Sequence, residues 1–147
     1  MVYINSYGRE SKVYALNAKT GTELWSSVTG NVLTSSNDAD SSPAIANGVV
    51  YVGSGDHKVY ALNATTGSIL WTYTTEDVVE SSPTVANGVI YVGSDDHKVY
   101  ALNAATGNVL WTYTTNGAIQ SSPVVVNGVV YVGSYRNGTL YAFHLPT

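Results

Sequence analysis

The chain repeats itself every 40 residues, and few folds tolerate that. Segments Ser41–Glu80 and Ser81–Gln120 match at most positions, with Pro43, Pro83 and Pro123 spaced by 40 and Trp71 and Trp111 spaced by 40. A further partial copy starts at Ser121. The first copy enters at Val2-Tyr3 and reaches Trp25, then runs through Ser26–Asp40, six residues longer than its counterpart Thr72–Glu80, so that Trp25 and Trp71 are 46 apart. Such a period marks an array of small units, none of which buries its apolar faces without its neighbours. The chain therefore reads as one domain over 1–147, divided into repeats 1–40, 41–80, 81–120 and 121–147.

Within a repeat, turn signals cut the 40 residues into four runs of strand length. Run A is Ser81–Ala86, and Asn87-Gly88, a strong two-residue hairpin signal, leads into run B, Val89–Gly93. Asp95-Asp96-His97 turns into run C, Lys98–Leu102, and Asn103–Gly107 turns into run D, Val109–Thr114. No helix is expected. Runs B and C are apolar at consecutive positions, so both faces of each antiparallel sheet need cover, as when four-stranded sheets stack around an axis. The proline of run A suits an edge strand, here the innermost one. The expected fold is all-β, a β-propeller of four-stranded antiparallel blades with 14 strands, or about 3.5 blades per chain.

The C–D segment resembles the quinoprotein-type propeller repeat, whose docking motif is Ala-x-Asp-x-x-Thr-Gly-x-x-x-Trp. Three copies carry it: Ala15, Asn17, Thr20, Gly21, Trp25; Ala61, Asn63, Thr66, Gly67, Trp71; and Ala101, Asn103, Thr106, Gly107, Trp111. Each has Asn in place of Asp, and the fourth copy stops at Ala142-Phe143-His144-Leu145-Pro146-Thr147 with the motif incomplete. The resemblance implies that each indole lies against the next blade, that Gly leaves room for the ring, and that Thr and Asn secure the turn. Trp25, Trp71 and Trp111 are thus expected to be structural.

The same resemblance raises a quinone-dependent dehydrogenase as an alternative function. Such enzymes add long insertions, a carboxylate-held Ca²⁺, a catalytic Asp and often a vicinal cysteine pair. This chain has no cysteine, almost no insertions, and acids placed mainly in short turns, so a non-catalytic protein with no cofactor is expected. Asp56-His57 and Asp96-His97 have metal-ligating side chains, but they fall in equivalent turns of adjacent blades, and turn formation is the simpler role. A net charge of −4 with only six Lys plus Arg gives no basic stripe for nucleic acid. No stretch approaches the roughly 20 apolar residues of a membrane helix. A cell-surface or extracytoplasmic location would need a leader before Met1; otherwise the cytoplasm is expected.

Strand alternation puts the A–B and C–D turns on one face of the disc and the B–C turns and D–A loops on the other. The repeats differ mostly on the second face. It is expected to gather Asp38, Asp40, Asp56, His57, Glu76, Asp77, Glu80, Asp95, Asp96 and His97, with Lys58, Lys98 and Arg136 among them. Loops on a rigid frame carry recognition, so a protein partner is expected there. An open arc would expose apolar sheet at both ends, so either two chains are expected to join head to tail into an eight-bladed ring as a homodimer, or the chain is an excerpt from one about twice as long.

Overall fold

In a computed structural model, the chain is described over residues 1–6, 8, 10–31 and 39–144. The first repeat forms β1 (Val2–Ser6), β2 (Glu10–Leu16) and β3 (Glu23–Asn31); the second, β4 (Ala44–Ala46), β5 (Val49–Gly53), β6 (Lys58–Asn63) and β7 (Ile69–Thr74). The third forms β8 (Thr84–Ala86), β9 (Val89–Gly93), β10 (Lys98–Asn103) and β11 (Val109–Thr114), and the fourth β12 (Val124–Val126), β13 (Val129–Gly133) and β14 (Leu140–His144). Each set is its own antiparallel meander, in orders β1-β2-β3, β4-β5-β6-β7, β8-β9-β10-β11 and β12-β13-β14. Among the described residues there is no helix, and none long and apolar enough to cross a membrane. These are the stacked sheets of an all-β propeller.

Local chemistry explains the turns. Asn47, Asn87 and Asn127 lie at φ 49°, 51° and 49°, and the glycines after them at 76°, 74° and 74°, the double left-handed geometry of a type I′ hairpin that Asn-Gly adopts at least cost. Run A pairs only over its last three residues, because Pro83 has no N–H to give. Its serines bond sideways instead. Ser41 Oγ donates to the Ser81 carbonyl at 3.1 Å and Ser81 Oγ to the Ser121 carbonyl at 2.9 Å, which ties the innermost segments of successive sheets together.

The first D–A connection departs from expectation. Ser26–Asn31 continue as strand, since β2 begins at Glu10 and its extra length gives β3 a partner as far as Asn31. Residues 32–38 of that connection, including Asp38, lie outside the described residues.

The core lies between sheets. Val50, Val52, Tyr60 and Leu62 of the second sheet pack on Val13 of the first, and Ile90, Val92, Tyr100 and Leu102 of the third on Tyr51, Val59 and Ala61 of the second. Each buried aliphatic side chain contributes about 1.5–3 kcal/mol, so the inter-sheet seams, rather than any one sheet, hold the array together. At the outer end of each seam sits an indole. Trp25 Nε1 donates to the Ala64 carbonyl and Trp71 Nε1 to the Ala104 carbonyl, both at 3.1 Å. The same carbonyls also accept from Tyr3 at 3.0 Å and from Tyr51 at 3.1 Å.

A Cβ on Gly67 would stand 2.6 Å from the Trp25 ring, and one on Gly107 2.6 Å from the Trp71 ring. Gly21 has the same left-handed φ of 72° with nothing within 4 Å. Behind these glycines, Asn63 Oδ1 accepts from the Thr65 and Thr66 N–H groups at 2.9 and 3.0 Å, and Asn17 and Asn103 repeat the arrangement with Thr20 and Thr106. Trp111 packs on Tyr91 and Phe143. The turn that would follow β14 begins at Leu145, outside the described residues.

Candidate binding face

The B–C turns are built the same way in the second and third repeats. The Ser54 and Ser94 hydroxyls accept from the Asp56 and Asp96 N–H groups at 3.4 and 3.2 Å, and His57 and His97 follow in left-handed geometry at φ 68° and 69°. Each histidine carbonyl is then held twice: Thr75 N–H and Oγ1 donate to His57 O at 2.8 and 2.9 Å, and Thr115 N–H and Oγ1 to His97 O at 2.7 and 2.8 Å. A threonine at the end of strand D thereby locks the B–C turn of its own sheet.

The carboxylates of these turns are engaged inward. Tyr60 donates to Asp56 Oδ2 at 2.6 Å and Tyr100 to Asp96 Oδ2 at 2.5 Å. Burial, reinforced by the accepting carboxylate, holds both phenols well above the ordinary tyrosine range. Among the described residues no three His, Asp or Glu side chains converge as metal ligands. The histidine imidazoles point to different settings: His57 Nε2 lies 3.8 Å from Asp77 Oδ1, whereas the His97 side chain is exposed at the edge of a cavity.

That cavity, of about 410 Å³, opens between the third and fourth repeats. Asp77, Asp95, His97, Gln120, Tyr135 and Arg136 line it. It brings together a D–A loop residue of the second repeat, the B–C turn of the third, the next D–A loop, and the B–C turn of the fourth. Gln120 Nε2 donates to Asp95 Oδ2 at 3.2 Å, while Asp95 Oδ1 is buried with no hydrogen-bond partner. Burial pushes the Asp95 carboxyl above its usual range, with Asp77 and Asp96 adding to the rise and Gln120 opposing it. Glu80 is raised in the same sense by burial, then by Asp95 and Asp40.

Of the face residues expected from sequence, Asp77, Asp95, His97 and Arg136 meet at this cavity. Asp56 and Asp96 bind the phenols of Tyr60 and Tyr100, and Glu76 pairs with Lys98. Gln120, Asn116, Tyr135 and Asn137 also line the space and were not singled out. The available signal was variation: position 95 is Gly55 in the second repeat and Tyr135 in the fourth, and the fourth B–C turn is one residue longer.

The profile of the outer membrane protein assembly factor BamB matches residues 9–147. The chain belongs to that family, one of PQQ-type β-propeller repeats. No curated protein sequence matches it. Among solved structures, BamB from Moraxella catarrhalis aligns with a TM-score of 0.78 at 23% identity, covering 97% of this chain and 46% of that one. The chain thus spans about half the length of that relative. The computationally designed Ika4 protein aligns with a TM-score of 0.74 at 15% identity over 98% of this chain and 86% of its own. The quinohemoprotein alcohol dehydrogenase from Comamonas testosteroni aligns with a TM-score of 0.66 at 28% identity, over 72% of this chain and 19% of the enzyme. The first two likenesses speak to fold alone.

Proposed function

We propose that this BamB-family chain is a non-catalytic interaction scaffold that presents a protein-binding surface on its B–C and D–A loop face and assembles with a second copy of itself. The observation that carries the reading is the cavity lined by Asp77, Asp95, His97, Gln120 and Arg136, which opens on the face where the repeats differ. The opposite face is made of near-identical Asn-Gly and Asn-Ala-x-Thr-Gly turns, as expected of turns that serve only the fold. Membership in the family of an assembly factor agrees with a role in holding another protein.

Two measurements test this. Proteins retained on the immobilised chain should be lost with Asp77→Lys/Arg136→Glu on the loop face and kept with Lys19→Glu on the opposite face; retention indifferent to the first pair overturns the assignment of the face. The similarity to quinohemoprotein alcohol dehydrogenases supports one alternative, a cofactor-binding dehydrogenase fragment. Pyrroloquinoline quinone with Ca²⁺ at saturation should leave the melting temperature unchanged, since a ligand bound only by the native state must raise it; a rise of several degrees overturns the non-catalytic reading.

A further inference from the structure

The three inter-sheet junctions within the chain share one set of contacts, and the two ends of the array carry unmatched halves of that set. On the leading side of each sheet stand a strand-B tyrosine, a strand-C alanine and a strand-C aliphatic. In the second and third sheets these are Tyr51, Ala61 and Val59, and Tyr91, Ala101 and Val99, at most 3% exposed. In the fourth sheet they are Tyr131, Ala142 and Leu140; Tyr131 is 38% and Leu140 70% exposed.

On the trailing side, Val50, Val52 and Leu62 of the second sheet are 0% exposed. Their counterparts in the first sheet are Val2 and Ile4, each 45% exposed, and the half-buried Leu16. At the first two internal junctions the turn carbonyl that accepts from tyrosine belongs to Ala64 and Ala104; its counterpart in the first sheet belongs to Ala18, an exposed residue.

From this we infer that the fourth sheet of one copy packs on the first sheet of a second copy in the register of the internal junctions, with Tyr131 of one copy against the Ala18 turn of the other. Because the two faces differ, the contact is head to tail, and two such contacts close a ring of eight sheets. Three things on the molecule favour a second copy over another occupant. The exposed side chains are the same residue types that meet inside the chain; they are all uncharged; and two copies amount to roughly the length of the BamB chain of which one copy spans 46%. The seam is made by β13 and β14 against β1 and β2. Among the described residues the fourth sheet has no strand-D partner for β14 and the first no strand-A partner for β1, so the contact is smaller than an internal junction.

This inference rests on the self-assembly proposed above, and its test is independent of the loop face. The chain has no cysteine, so Tyr131→Cys and Ala18→Cys supply the only thiols. A short bifunctional maleimide should yield a covalent species of twice 15.5 kDa when the two single variants are mixed, and none with either variant alone. Tyr51→Cys/Ala104→Cys, at an internal junction, calibrates the reagent within one chain. A calibrated reagent with no product in the mixture overturns the inference, as does equal product from either variant alone, which would mean like faces meet.

Sedimentation gives the second readout. The unmodified chain should run as a dimer, and Leu140→Asp should run as a monomer with its strand signature in circular dichroism intact. A folded wild-type monomer, or an assembly of three or more copies, overturns the two-copy ring. Retention indifferent to Asp77→Lys/Arg136→Glu, with crosslinking preserved, would count against the scaffold reading alone.

Discussion

Asn5 Nδ2 donates to the Ser41 carbonyl at 3.3 Å, linking the first sheet to the inner segment of the second. In the later repeats the corresponding link runs from Ser41 Oγ to Ser81 O and from Ser81 Oγ to Ser121 O. Position 5 is glycine in every other copy, at Gly53, Gly93 and Gly133. The amide side chain thus carries the inner ladder onto β1, the innermost strand of the first sheet among the described residues. Replacing Asn5 with Gly, the residue of the other repeats, should destabilise the protein by about 0.5–1.5 kcal/mol, the net value of one such hydrogen bond, read as a lower urea midpoint. No change would mean that the first sheet needs no link there.

The three motif glycines form an internal control. Gly21, Gly67 and Gly107 share φ values of 72°, 75° and 74°, but only the last two lie against an indole. Alanine at Gly21 should carry the backbone cost alone, about 1–3 kcal/mol. At Gly67 or Gly107 it should cost more, because a tryptophan ring must also move. Equal losses of melting temperature at all three would show that the ring contact contributes nothing.

Truncating Trp71 removes the ring that rests on Gly107 and its bond to the Ala104 carbonyl. Trp71→Ala should cost on the order of 3–5 kcal/mol, whereas Tyr51→Phe, which deletes only the second donor to that carbonyl, should cost about 0.5–1.5 kcal/mol. Chemical denaturation of the two variants provides the comparison.

Acid should favour the fold around the cavity. The Asp95 and Glu80 carboxyls are both raised above their ordinary ranges, first by burial. A carboxyl raised in the folded state holds its proton more tightly there than in the unfolded chain. Its contribution is therefore complete below the unfolded pKa and is lost as pH rises through the folded one. Asp95→Asn should then be more stable than wild type at neutral pH, with the difference shrinking as the pH falls toward the ordinary aspartate range. Denaturant midpoints across that range would show it, and a pH-independent difference would refute it.

The fold was legible in the sequence because its rules are local and repeated. Asn47-Gly48, Asn87-Gly88 and Asn127-Gly128 announce hairpins by backbone preference alone, and the 14 strands among the described residues follow from the turns between them. The binding face was legible only as a direction. Its cavity depends on Arg136 and Tyr135 of one turn meeting Asp77 and Gln120 of two distant loops, a relation set by how the sheets stack and not by any spacing in the chain. The extended β3 was missed for a similar reason: its last residues are strand only because β2 reaches back to Glu10 to pair with them. The link from Asn5 was not legible either, since a hydrogen bond to Ser41, 36 positions away, leaves no local trace.

Along the inner segments and at the outer turns, the serine, tyrosine and tryptophan links share one sense: the donor sits on the earlier repeat and the acceptor carbonyl on the later one. That gives the array a polarity of the kind a cytoskeletal filament has, with a donor end and an acceptor end that are chemically unlike. Two identical ends of such an array have no complementary groups to offer each other. Growth by whole repeats, whether through gene duplication or through engineering, therefore adds units in a single orientation, and it is the angle between sheets, not a change of chemistry at the last one, that decides when the series stops.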